Sequence, residues 1–97
     1  MSDDIPELTA RDFARAISRR TRERLIRGEL GGGGDVQALR GFVGLNQADF
    51  AAALGISVHT LRNWERNRGR PEGPALVLLR VAARHPRVLR ENLAIAR

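Results

Sequence analysis

The sharpest hydrophobic pattern in the chain lies between Gln47 and Arg66. Phe50, Leu54, Ile56, Leu61 and Trp64 are the apolar positions of this stretch, and small Ala51 stands where two helices would touch. The spacing predicts a helix from about Gln47 to Leu54, a tight turn, and a second helix sharing the same core. Gly55 falls where the first helix must leave its path, a position that favours a residue tolerating positive φ. Ser57 can accept a backbone N–H bond and open the second helix. Ser57, Val58, His59, Arg62, Asn63 and Arg66 are then left on the outer face of that second helix.

The same reading extends in both directions. Residues 1–8 show no pattern. Thr9 with Asp12 resembles a capping box, and a helix is predicted from Ala10 to about Arg27. Its apolar stripe is thin: Phe13, Ala16, Ile17 and Leu25, with Ala14 beside it. Such a helix needs a partner to bury Phe13 and Ile17. Gly28 and the run Gly31-Gly32-Gly33-Gly34 predict a linker over 28–34. The chain accordingly divides into an N-terminal segment, residues 1–34, and a helical domain, residues 35–97. In the domain Asp35 is expected to cap a helix from Val36 to about Val43, stopped by Gly44. Asn46 is expected to cap the helix from Gln47. A polar loop follows Arg66. Pro74 suits the first turn of a helix reaching about Arg84, apolar on most sides and expected to be buried. His85-Pro86 ends it. A last helix from Pro86 to about Ala96 carries Val88, Leu89, Leu93 and Ile95. The expected fold is all-α, a compact bundle of about five helices with an extra N-terminal segment, helical or partly disordered.

Charge sharpens the functional reading. The formal net charge is +6, and all 17 basic residues are Arg. Residues 1–34 hold seven Arg against six acids, whereas residues 35–97 hold ten against five. The excess follows the half that carries the paired helices, as the footprint of a polyanion would. Arg suits bidentate contacts to guanine and phosphate, although coding bias accounts for much of the missing Lys. Aromatic content is 4%, too little for single-strand binding by base stacking. There is no cysteine, hence no disulfide or thiolate chemistry. No apolar run is long enough to span a bilayer, and Met1-Ser2-Asp3-Asp4 is no signal peptide, so a cytoplasmic protein without membrane contact is expected.

The residues Leu45-Asn46-Gln47-Ala48-Asp49-Phe50-Ala51, Leu54-Gly55-Ile56-Ser57 and Leu61-Arg62-Asn63-Trp64-Glu65 resemble the helix-turn-helix domain of the phage-repressor class, also called Xre or Cro/C1 type. The resemblance covers roughly residues 35–85. It implies binding to an operator in double-stranded DNA, with the helix after Ser57 in the major groove. Ser57, Val58 and His59 open that helix nearest the base edges, and Arg62 and Asn63 lie one turn on. Arg62 suits guanine, Asn63 adenine and Val58 a thymine methyl group. Gln47 is expected to touch the DNA backbone and position a neighbouring side chain. Arg66, Arg68 and Arg70 lie at the helix exit, where phosphates pass. The resemblance also implies an ion pair between Arg40 and Glu65. Trp64 reads as core. A short recognition helix implies a homodimer on two half-sites, with Leu89, Leu93 and Ile95 as the candidate dimer surface; closing the domain core is their other reading.

The layout further resembles HigA-like antitoxins and their small Xre relatives. That likeness implies a repressor of its own operon that neutralises a toxin partner, with residues 9–27 docking through Phe13, Ile17 and Leu25. A plain Xre-type regulator is the alternative. An enzyme has little support: two scattered His, no phosphate loop, since no Gly-Lys-Ser or Gly-Lys-Thr follows the glycine run, and no paired acidic motif. No catalytic residue, cofactor, metal ligand or small-molecule substrate is expected. His59 has only His85 to join it as a ligand.

Overall fold

A computed structural model describes residues 17–96. Among them are six helices and no strand: α1 Arg19–Ile26, α2 Gly33–Val43, α3 Gln47–Leu54, α4 Val58–Glu65, α5 Pro74–Arg84 and α6 Pro86–Ala96. The fold is the all-α bundle expected. Local chemistry sets most of the boundaries. Asn46 accepts the Asp49 backbone N–H at 2.8 Å and opens α3. Ser57 accepts that of Thr60 at 3.0 Å and opens α4. Gly55, at φ 76°, ends α3 in the left-handed region, where a Cβ is disfavoured.

Two N-terminal expectations change. The helix foreseen from Ala10 to Arg27 does not run through Ser18. That residue is extended (φ −78°, ψ 158°) and its hydroxyl accepts the Thr21 N–H, so α1 starts after it. Thr9, Asp12 and Phe13 lie outside the described residues. Further on, Gly33 and Gly34 are not linker but the first turn of α2. The cause is tertiary: a Cβ on Gly33 would stand 2.3 Å from the main-chain oxygen of Glu65 and 2.7 Å from that of Trp64. Only glycine lets the start of α2 lie against the end of α4. Asp35 is therefore inside the first turn and not at the cap. Its Oδ2 accepts the Gly31 N–H at 2.7 Å, and both its oxygens accept from Arg24, at 3.0 and 3.2 Å. Burial opposes ionisation of Asp35, but the Arg24 guanidinium and the Gly31 N–H outweigh it and hold its carboxyl below the ordinary value of 3.8.

α2 lies at the centre, packing on α1, α4, α5 and α6, while α3 packs on α4 and α6 and α1 on α5. Phe50, Leu39, Leu61, Leu79, Val36 and Val43 are the largest fully buried side chains, each stabilising by about 1.5–3 kcal/mol. Ile17, Leu25 and Leu30 belong to the same cluster, so the N-terminal helix shares the core of the helices that follow it. One arginine from each of α1 and α5 reinforces that contact. Arg22 donates from Nε to the Ala83 carbonyl at 2.8 Å and from Nη2 to that of Arg84 at 3.2 Å. Arg80 of α5 donates to the Ile26 carbonyl at 3.1 Å. Each helix thus satisfies the C-terminal carbonyls of the other.

Three further expectations are corrected. Ile17 and Leu25, foreseen as anchors for a partner, are buried in this chain's own core. Leu89 and Leu93, foreseen at a dimer surface, are also buried and close the bundle, which leaves Ile95 exposed at 83%. α5 is buried through Leu79, Ala82 and Ala83 but leaves Val77 and Leu78 exposed.

Candidate nucleic-acid interface

The side chains of α4 divide cleanly. Leu61, Trp64 and Glu65 are buried toward α2 and α3. Ser57, His59, Arg62 and Arg66 are exposed, and Val58 and Asn63 are half-buried. Val58 packs partly against the core, so less of it faces outward than its helical position suggested. Trp64 is core, as foreseen. The Ser57 hydroxyl both accepts the Thr60 N–H and donates to Thr60 Oγ1, each at 3.0 Å, so capping is its structural role. Asn63 Nδ2 stands 3.4 Å from His59 Nε2, joining two of the expected base readers.

The turn brings Gln47 of α3 beside Arg62 of α4. Arg62 Nε donates to Gln47 Oε1 at 3.3 Å, and Gln47 Nε2 donates to Glu65 Oε1 at 2.9 Å. Glu65 also accepts from Arg40, Nε to Oε2 at 2.8 Å and Nη2 to Oε1 at 3.3 Å. The Glu65 side chain is 3% exposed; a buried carboxylate with this many charge-assisted donors is well satisfied. Gln37 donates to the Glu65 main-chain oxygen at 3.3 Å. The Gln47–Glu65 bond and the part of Gln37 went unforeseen, because nothing local in the sequence marks them.

Beyond α4 the chain turns at Asn67, the only non-glycine among the described residues with positive φ, at 62°. Arg68 N–H bonds the Asn63 carbonyl at 2.7 Å and Asn67 N–H that of Trp64 at 3.1 Å, the Schellman closure of a helix. Asn67 Oδ1 accepts the Gly33 N–H at 2.8 Å, tying the end of α4 to the start of α2. Asparagine tolerates the left-handed region better than most residues, and that was the one local signal available. Arg66 and Arg68 are exposed, and their side chains make no hydrogen bond or ion pair to any described residue. Arg70 differs from the expectation of a phosphate contact alone: its Nη2 donates to the Leu30 carbonyl at 2.8 Å, at the junction of α1 and α2.

The arrangement is a short polar helix, braced by a second helix across a glycine turn, with two exposed arginines at its exit. The sequence model of a family described as helix-turn-helix matches residues 36–81, from the start of α2 into α5. Residues 36–81 are a helix-turn-helix domain of the Xre type. The chain is 38% identical over 55 residues to antitoxin HigA-2 of Vibrio cholerae serotype O1, a match covering 57% of this chain and 53% of that protein. It is 36% identical over 52 residues to YiaG of Escherichia coli K12, an uncharacterised HTH-type transcriptional regulator, covering 54% of each. The chain thus spans about half the length of the curated relatives it matches. No solved structure matches it. Within the helix-turn-helix domain α3 is the first and α4 the second helix of the motif. Helices α1 and α6 lie wholly outside the matched stretch, yet both pack on the helix-turn-helix core. Among the described residues no helix is long and apolar enough to cross a membrane.

Proposed function

We propose that this chain is a sequence-specific repressor of transcription that lays α4 in the major groove of double-stranded DNA. The observation that carries the reading is the exposed face of α4, where Arg62 is oriented by Gln47 while His59 and Asn63 stand beside it. Arg66 and Arg68 at the helix exit suit the flanking phosphates. The Gln47 end of α3, where backbone N–H groups emerge, suits another. Two copies on half-sites about 34 Å apart would follow the geometry of this docking mode. With Leu89 and Leu93 committed to the core, a dimer contact through α6 rests on Val88 and Ile95.

The antitoxin reading is supported by the likeness to HigA-2. It requires a toxin-binding surface other than Ile17 and Leu25, since both are buried. Co-expression with the protein encoded beside it, scored for relief of growth arrest, tests that reading.

Footprinting of the region upstream of its own gene tests the repressor. Protection of one or two short sites is expected, and Arg62→Ala should reduce discrimination at one or two base positions by about 1–3 kcal/mol. Absence of preference for any duplex over random competitor at moderate ionic strength would overturn it.

A further inference from the structure

Four side chains from three helices form a continuous relay: Arg40 of α2 to Glu65 of α4, Glu65 to Gln47 of α3, and Gln47 to Arg62 of α4. The chemistry of each group dictates the next. Glu65, ionised against Arg40, can only accept. Gln47 must therefore turn its amide nitrogen toward the carboxylate, which puts Oε1 on the other side. An amide oxygen there can only accept, and it takes the Nε–H of Arg62. With Nε committed, the terminal Nη1 and Nη2 groups of Arg62 remain without a partner among the described residues. They form a parallel pair of donors on an exposed helix face. That fork matches the O6 and N7 acceptors of guanine approached end-on.

We propose that Glu65 is a positioning residue for base reading, acting through Gln47 to hold Arg62 end-on toward a guanine. The inference rests on the reading that α4 enters the major groove. It assigns Glu65 a role beyond its ion pair. The pair alone would fix the helices, whereas the relay sets the direction in which a carboxamide faces, and so the direction of a guanidinium. An arginine held in this way loses less rotamer entropy when it meets a base.

Glu65→Gln separates the two roles. The new amide would keep its oxygen on Arg40 and present its nitrogen to Gln47. Gln47 would then turn its oxygen inward and its own nitrogen toward Arg62, where donor meets donor. Arg62 would swing away. Adding Gln47→Glu restores an acceptor that serves both the amide at position 65 and Arg62. The probe is a pool of duplexes with a randomised central stretch, incubated with the full chain and sequenced after capture. Dissociation constants then follow for the winning duplex and for its single-guanine replacements, and thermal unfolding is recorded for every variant.

The wild-type chain is expected to select a guanine that Arg62→Ala loses, by roughly tenfold to hundredfold in preference. Glu65→Gln should lose the same guanine and leave the other positions as they were, and the double variant should recover it. Gln47→Met, which leaves the Arg40–Glu65 pair whole, should also lose it, and decides the matter if Glu65→Gln does not fold. Retention of the guanine in Glu65→Gln or Gln47→Met overturns the proposal. So does an Arg62→Ala effect equal on all duplexes, the mark of a phosphate contact. Selection of no sequence by the wild-type chain overturns the groove-reading proposal itself, and this one with it.

Discussion

At Gly33 one methyl group separates two outcomes. Gly33→Ala would drive a Cβ into the main chain of Trp64 and Glu65, atoms that cannot swing aside as a flexible side chain would. A loss of about 1–3 kcal/mol or more is expected from such overpacking. Its neighbour Gly34 has nothing within 4 Å of an added Cβ and sits in the same helical turn. Gly34→Ala should therefore stabilise by about 0.5–1 kcal/mol. Urea unfolding of the two variants side by side checks both signs; equal effects would contradict the close approach of the two helices. The caps at Asn46 and Ser57 were legible in the sequence because a cap and its partner lie three residues apart. The Arg40–Glu65 pair, joined across 25 positions, was legible only through the family resemblance. Gln47 to Glu65 and Asn67 to Gly33 span 18 and 34 positions, and no local pattern encodes such a meeting.

Helix α1 is the element whose role the sequence left open, as a packed helix or as an arm for a partner. Arg19, Arg20, Arg22 and Arg24 read in the sequence as a solvated face, and only the fold shows Arg22 reaching Ala83 and Arg24 reaching Asp35. Leu25 is 2% exposed, so Leu25→Ala should cost about 2–5 kcal/mol. A much smaller change in the denaturant midpoint would mean that α1 does not stay docked. The Arg24–Asp35 pair adds a pH signature to the same junction. The folded-state pKa of Asp35 lies below its ordinary value, so the paired carboxylate stabilises the fold above about pH 4. That contribution is lost as the pH falls through the folded-state value. Asp35→Asn should lower stability near neutrality and flatten the acid limb below about pH 4 in urea titrations; an unchanged slope would remove Asp35 from the account. The glycine run misleads for a related reason. Four glycines disfavour a helix locally, and the close approach that favours one involves a helix end some thirty residues away.

For the whole molecule, the charge balance of +6 concerns how the chain meets a polyanion and not how it folds. The side chains of Arg66 and Arg68 have no partner among the described residues, so replacing either by Ala should leave the melting temperature near its starting value. Each replacement should weaken all duplexes alike and reduce the salt slope of binding by about one for every phosphate no longer neutralised. Anisotropy titrations over a series of salt concentrations read this directly, and an unchanged slope would place both side chains away from phosphates. The carbonyl of Leu30 holds Arg70 differently, and truncation of Arg70 should be felt in the fold as well. One consequence follows from the link between Asn67 and Gly33. It joins the far end of α4 to the helix around which the others assemble, and so ties the exposed face of α4 to the core. On the proposed reading DNA would meet a die already cut to shape, and the pace of their encounter would be set by collision and long-range attraction, without waiting for α4 to rearrange against its neighbours.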